Sequence, residues 1–121
     1  MARYVDGFVL PVPKDKVPAY RRLARLAGKV WLEHGALEYV EAVEDDVKPG
    51  KLTSFPQSVK LKRGEVVVFS WIVYRSRAHR DRVMKKVMAD TRLSSYMQPG
   101  AMPFDGKRMF WGGFREIVSM R

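Results

Sequence analysis

Ten consecutive residues, Glu65 to Tyr74, restrict the fold of this chain more than any other stretch. Val66, Val67, Val68, Phe69, Trp71, Ile72 and Val73 are all apolar, with Ser70 the one small polar break. Successive side chains of a strand point to opposite faces, so this run puts large apolar groups on both. A strand of that kind has to be covered from two sides. The remaining residues must supply both covers.

Three further strands are readable. Tyr4 to Leu10 is a short one, expected to stop at Pro11 and Pro13 because proline cannot donate to a sheet ladder. Leu37 to Val43 alternates, with Leu37, Tyr39, Glu41 and Val43 on one side, and ends in an acidic, Pro-Gly turn. The last runs from Arg108 to Val118. A turn at Asp105-Gly106 feeds it, where glycine offers positive φ, and Gly112 and Gly113 within it mark a bulge or a close approach. Residues 51–64 are the least determined: Ser58 to Leu61 fits an extension of a hairpin, with Lys62-Arg63-Gly64 as its tip.

Two helices join these strands. Val17, Tyr20, Leu23, Ala24, Ala27, Val30 and Trp31 recur at helical spacing, from a start near Lys14–Asp15, with Pro18 in the first turn, to a stop at Gly35. Ser76 caps the second helix, whose stripe is Val83, Met84, Val87 and Met88, extended back by His79 or Arg80, with both methionines in the core. Strand-helix-strand therefore occurs twice. The expected architecture is a single α+β domain over residues 1–121, a ferredoxin-like βαββαβ sandwich with a four-stranded antiparallel sheet and two helices on one face. The helices cover one sheet face only. A second copy of the same sheet is the economical cover for the other, so a homodimer is expected.

The net charge of +10 is concentrated in these helices: segments 14–34 and 75–92 hold 13 Lys and Arg against 4 Asp and Glu. There is no cysteine, which excludes disulfides and thiolate metal sites. No apolar stretch approaches the roughly 18 residues of a membrane span, so the expectation is a soluble, cytoplasmic protein without a membrane partner.

Four sets of residues are candidates for chemistry. Asp6 shares a strand face with Tyr4, Phe8 and Leu10, where desolvation would raise its pKa and make it a proton acceptor; a structural ion pair with Lys107 or Arg108, or simple exposure at a strand end, is the plainer alternative. His34, at a helix C-terminus, is the second weak catalytic candidate. Tyr4, Phe8, Trp71, Met109 and Trp111 could line a pocket for a flat apolar ligand, with Arg108 orienting an anion, unless they form ordinary core or dimer interface. Arg80, Arg82 and Lys86 offer a basic helix face to RNA or another polyanion, binding that would be weak and salt-sensitive; a solvated charged surface is the alternative. The two histidines show no ligand spacing, so no metal is expected, and no phosphate loop or nucleophile motif calls for a cofactor.

Tyr4-Val5-Asp6-Gly7-Phe8, Gly35-Ala36-Leu37, Val68-Phe69-Ser70-Trp71-Ile72 and Met102-Pro103-Phe104-Asp105-Gly106-Lys107-Arg108-Met109 resemble the YbaA-like proteins, a bacterial family of unknown function. The resemblance runs over nearly the whole chain and implies a dimeric α/β-barrel. It brings no activity and no catalytic residue. Three readings of function follow: a small-ligand protein with a pocket lined by aromatic residues, with or without cofactor-free catalysis; a polyanion binder; and a purely structural dimer.

Overall fold

The apolar run becomes strand β3 (Glu65–Tyr74), an inner strand of the sheet in the computed structural model, which describes residues 2–121. β3 pairs antiparallel with all of β1 (Tyr4–Pro13), from Tyr4↔Tyr74 to Pro13↔Glu65, and on its other side with β2 (Glu38–Val43). β4 (Phe110–Arg115) pairs with β1, giving the order β2-β3-β1-β4. Helix α1 (Val17–Glu33) follows β1, a four-residue α2 (Phe55–Ser58) precedes β3, and α3 (Arg77–Met88) follows it. This antiparallel α+β arrangement is consistent with a ferredoxin-like plan.

β1 continues through both prolines instead of stopping before them. β4 pairs with β1 only as far as Val9, and the Lys14 amide donates to Gly64 O on the β3 side at 2.8 Å. Alternation then points positions 11 and 13 toward the side with no partner strand, where a missing amide costs no ladder bond. β4 in turn is shorter than expected, ending at Arg115. The turn before it does not use a positive-φ glycine: Asp105 Oδ1 accepts from the Lys107 amide at 3.0 Å and opens a short 3-10 turn, Gly106–Arg108.

Both long helices contribute to one core cluster. Leu23, Ala27 and Val30 of α1 meet Val83 and Val87 of α3 over Ile72 and Tyr74 of β3. Ser76 Oγ caps α3 by accepting from the His79 amide at 3.1 Å, and Gly35, at φ +116°, ends α1. The buried row of α3 is His79, Val83 and Val87, one residue per turn. Met88 therefore falls about 100° away from that row and is 51% exposed, not core.

The other sheet face is partly covered by residues 51–64, which form no hairpin extension. Ser54 caps α2, and Val59 and Leu61 beyond it pack on Val9 and Val67. Phe55 stands edge-on to Phe69, with ring centroids 5.9 Å apart. Past this flap, Phe69 (41% exposed), Phe110 (47%) and Phe114 (65%) leave an apolar surface with Gly7 opposite Gly112 in its middle. Among the described residues, no helix is long and apolar enough to cross a membrane.

Candidate functional site

A cavity of about 170 Å3 lies between the helix-side sheet face, α1 and the 3-10 segment Thr91–Met97 with the loop after it. Phe8, Leu10 and Ile72 form the sheet wall, Leu23 and Ala27 the helix wall, and Met97, Met102 and Phe104 line the third side, where both methionines are exposed and the space is partly open. Its surface is almost wholly apolar, and its volume matches an engineered apolar cavity of about 150 Å3 that takes up benzene. One ionisable carboxyl, Glu41, lines it.

Glu41 is held from two directions. The Tyr20 hydroxyl, from the first turns of α1, donates to Oε1 at 2.6 Å, and the Tyr39 hydroxyl, two residues back on β2, donates to Oε2 at 2.7 Å. Tyr39 can lie flat against α1 because residue 28 is glycine: a Cβ there would stand 2.9 Å from the Tyr39 ring. Burial raises the Glu41 pKa above its ordinary value; hydrogen bonds from Tyr20, Tyr39 and the neighbouring Ser70 oppose the rise without cancelling it. Burial, and then the Glu41 charge, push both tyrosine hydroxyls well above their usual range, so they stay protonated as donors. The group is a carboxyl with poorly solvated charge, fixed in orientation and open to a small apolar space. That combination suits proton exchange with a bound molecule.

The residues singled out in the sequence do not converge on this cavity, except Phe8 and Met109. Trp111 stacks on Phe8 at the β4 edge, with ring centroids 5.8 Å apart. Trp71 lies on the opposite sheet face, its Nε1 donating to Glu38 Oε1 at 3.3 Å. Tyr4 receives a hydrogen bond from Arg80 Nη2 at 3.1 Å, and the Arg80 guanidinium sits 5.0 Å from the Tyr4 ring centre. Gly113 makes room for this pair, since a Cβ there would collide with the Tyr4 hydroxyl and Arg80. Arg108 is engaged inside the fold: two bonds to Glu65 at 2.7 and 2.6 Å, one to Asp105 at 3.0 Å and one to Lys60 O at 3.1 Å.

Asp6 is 0% exposed and lies outside the cavity lining. Arg80 Nε is 3.5 Å from its Oδ1, and both carboxyl oxygens lack a well-formed hydrogen bond. Burial raises its pKa against the influence of Tyr74 and Arg80. The pairing is thus with Arg80, not with Lys107 or Arg108, and it turns Arg80 inward, away from the basic face that Arg82 and Lys86 still present. His34 Nε2 lies 2.8 Å from Asp90 Oδ2, an ion-pair cluster that ties the end of α1 to the 3-10 segment. His79 is buried, accepting from the Arg75 amide at 2.9 Å, and burial lowers its pKa. Among the described residues no three His, Asp or Glu groups could hold a metal.

The profile of a family described as "Protein of unknown function (DUF1428)" matches residues 3–106. The chain belongs to this family. It is similar to the uncharacterized protein YbaA of Escherichia coli K12, 48% identical over 116 residues that cover 96% of this chain and 97% of that one. YbaA of Shigella flexneri matches equally, at 48% identity over the same shares. A solved structure, the de novo designed protein Foldit4, aligns over 98% of this chain and 99% of its own, with 15% identity and a TM-score of 0.43.

The trio of Tyr20, Tyr39 and Glu41 was absent from the sequence candidates, though its signal was visible. Glu41 interrupts the apolar alternation of Tyr39 and Val43 just as Asp6 interrupts that of Tyr4 and Phe8. Tyr20 counted only as one apolar position of a helical stripe, and 21 residues of sequence separate it from its partner.

Proposed function

We propose that this protein binds a small, flat, apolar molecule in the cavity beneath α1 and exchanges a proton with it through Glu41. The observation that carries this reading is the Glu41 carboxyl at the cavity wall, oriented by two tyrosine hydroxyls. Glu41 takes a proton from an acidic C–H or O–H of the ligand and returns it to another atom of the same molecule. No oxidant, metal or second substrate is needed. The test is titration with benzene, followed through the methyl resonances of Met97, Met102 and Met109, which line the cavity. Saturable shifts confined to these methyls are expected; their absence would overturn the cavity as a binding site.

The exposed apolar face formed by Phe69, Phe110 and Phe114 supports a homodimer assembled sheet to sheet, completing an α/β-barrel. The native mass is then twice that of the chain, and Phe114→Lys halves it. A wild-type chain that sediments as a monomer removes this assembly.

A further inference from the structure

Tyr20, Ala24, Tyr39 and Glu41 border two spaces: the apolar cavity and, on their other side, an open groove of about 600 Å3 between α1 and the edge strand β2. The groove floor is apolar, formed by Ala42, Val43 and Val68. Its α1 rim carries Arg21, Arg25 and Lys29, spaced four residues apart and therefore in one row along the helix. None of the three forms an ion pair among the described residues. Glu41 is the single acidic residue lining the groove, and the tyrosines already hold both its oxygens.

A row of unpaired cations repels itself, and here it flanks an apolar trench instead of spreading over a face. The molecule that relieves the repulsion and also fills the trench has an anionic head and an apolar body. A long polyanion would meet the cations on one side only and would leave the apolar floor uncovered. We infer that the groove binds a small amphipathic anion, an aromatic or short aliphatic carboxylate, with its head among Arg21, Arg25 and Lys29 and its body on the apolar floor against the groove side of the Tyr20–Tyr39–Glu41 wall. The inference goes beyond the reading of the cavity, with which the groove shares the Tyr20–Tyr39–Glu41 wall.

Phenylacetate and phenylacetamide, matched in shape and differing in charge, test it on the full chain. Calorimetry gives the affinities, and the methyls of Ala42, Val43 and Val68 in the groove, set against those of Met97, Met102 and Met109 in the cavity, show which space each probe occupies. At about 0.02 M salt phenylacetate is expected to bind roughly tenfold more tightly than the amide, an advantage that shrinks at about 0.5 M salt. The triple variant Arg21→Gln, Arg25→Gln, Lys29→Gln alters exposed positions only and should erase the preference while leaving phenylacetamide binding unchanged. Equal affinities in the wild type, or a preference that survives the triple variant, would overturn the anion assignment and leave the cavity standing. If neither probe moves the methyls of Ala42, Val43 and Val68, the groove is not the binding site and the assignment fails, whatever the benzene titration shows for the cavity.

Discussion

In Glu41→Gln, the Tyr20 and Tyr39 hydroxyls that donate at 2.6 and 2.7 Å meet a side chain of the same shape that cannot ionise. Burial raises the folded-state pKa of Glu41 above the ordinary 4.5. The unfolded chain therefore releases this proton first as the pH rises. Between the two values the native state binds more protons, so wild-type stability falls with rising pH across that window and levels off above it. Each tenfold weakening of the acid in the folded state removes about 1.4 kcal/mol at high pH. Glu41→Gln lacks this loss, so its stability relative to wild type improves as the pH climbs from 4.5 through the raised folded-state value. The amide also changes the hydrogen bonds it shares with the two tyrosines, each worth about 1 kcal/mol, which displaces the whole curve but not its slope. Asp6 is shifted in the same direction, so the comparison belongs in the Asp6→Asn background as well. Urea unfolding followed by tryptophan fluorescence, at one fixed protein concentration, supplies the curves. Parallel pH profiles for wild type and Glu41→Gln would show that the carboxyl titrates like a solvated one and would refute the argument.

Three further outcomes are expected. Tyr20→Phe removes a donor that favours the Glu41 carboxylate, so the carboxyl carbon of Glu41 should titrate at a higher pH by NMR; an unmoved midpoint would mean Tyr20 does not stabilise the charge. Gly28→Ala puts a Cβ 2.9 Å from the Tyr39 ring and should cost about 1–3 kcal/mol in thermal unfolding while displacing Tyr39 from Glu41; an unchanged melting curve would contradict the close packing. Arg108→Leu should lower stability by about 2 kcal/mol, between an exposed and a deeply buried pair. Its pH signature has the opposite sign to that of Glu41: hydrogen bonds from Arg108 hold Glu65 below its usual range, so the stability Glu65 contributes is present at neutral pH and lost as the pH falls through the lowered value. A variant that keeps the wild-type acid slope would rule out that pairing.

Local signals in the sequence account for most of the elements. Helical spacing, a serine cap and a glycine stop place α1 and α3, and the unbroken apolar run places β3, because each depends on residues a few positions apart. The misread positions share a different cause. Whether Pro11 ends β1 depends on how far β4 extends beside it, about a hundred residues later. Whether residues 51–64 form a hairpin depends on an apolar face that Val59 and Leu61 can cover. Trp71 and Trp111 read alike as aromatic strand residues, yet they occupy opposite faces of the sheet. Local pattern gives the alternation within each strand; only pairing decides which alternate row meets the helices.

Asp6 and Glu41 show how far such reasoning can be sharpened. Each is an acidic residue in an apolar strand row facing the helices, and burial shifts each in the same direction. Their surroundings then diverge. β1 is an inner strand, and Asp6 is fully buried beside Tyr74 and Arg80, outside the lining of both the cavity and the groove. β2 is an edge strand, and Glu41 borders the cavity on one side and the groove on the other. Reactivity needs both a reluctant charge and access, and access is what an edge position provides. An isolated acid in an apolar strand row is thus better weighed by the rank of its strand in the sheet than by the apolarity of its neighbours. In this chain that criterion selects Glu41 over Asp6, although in sequence the two look the same.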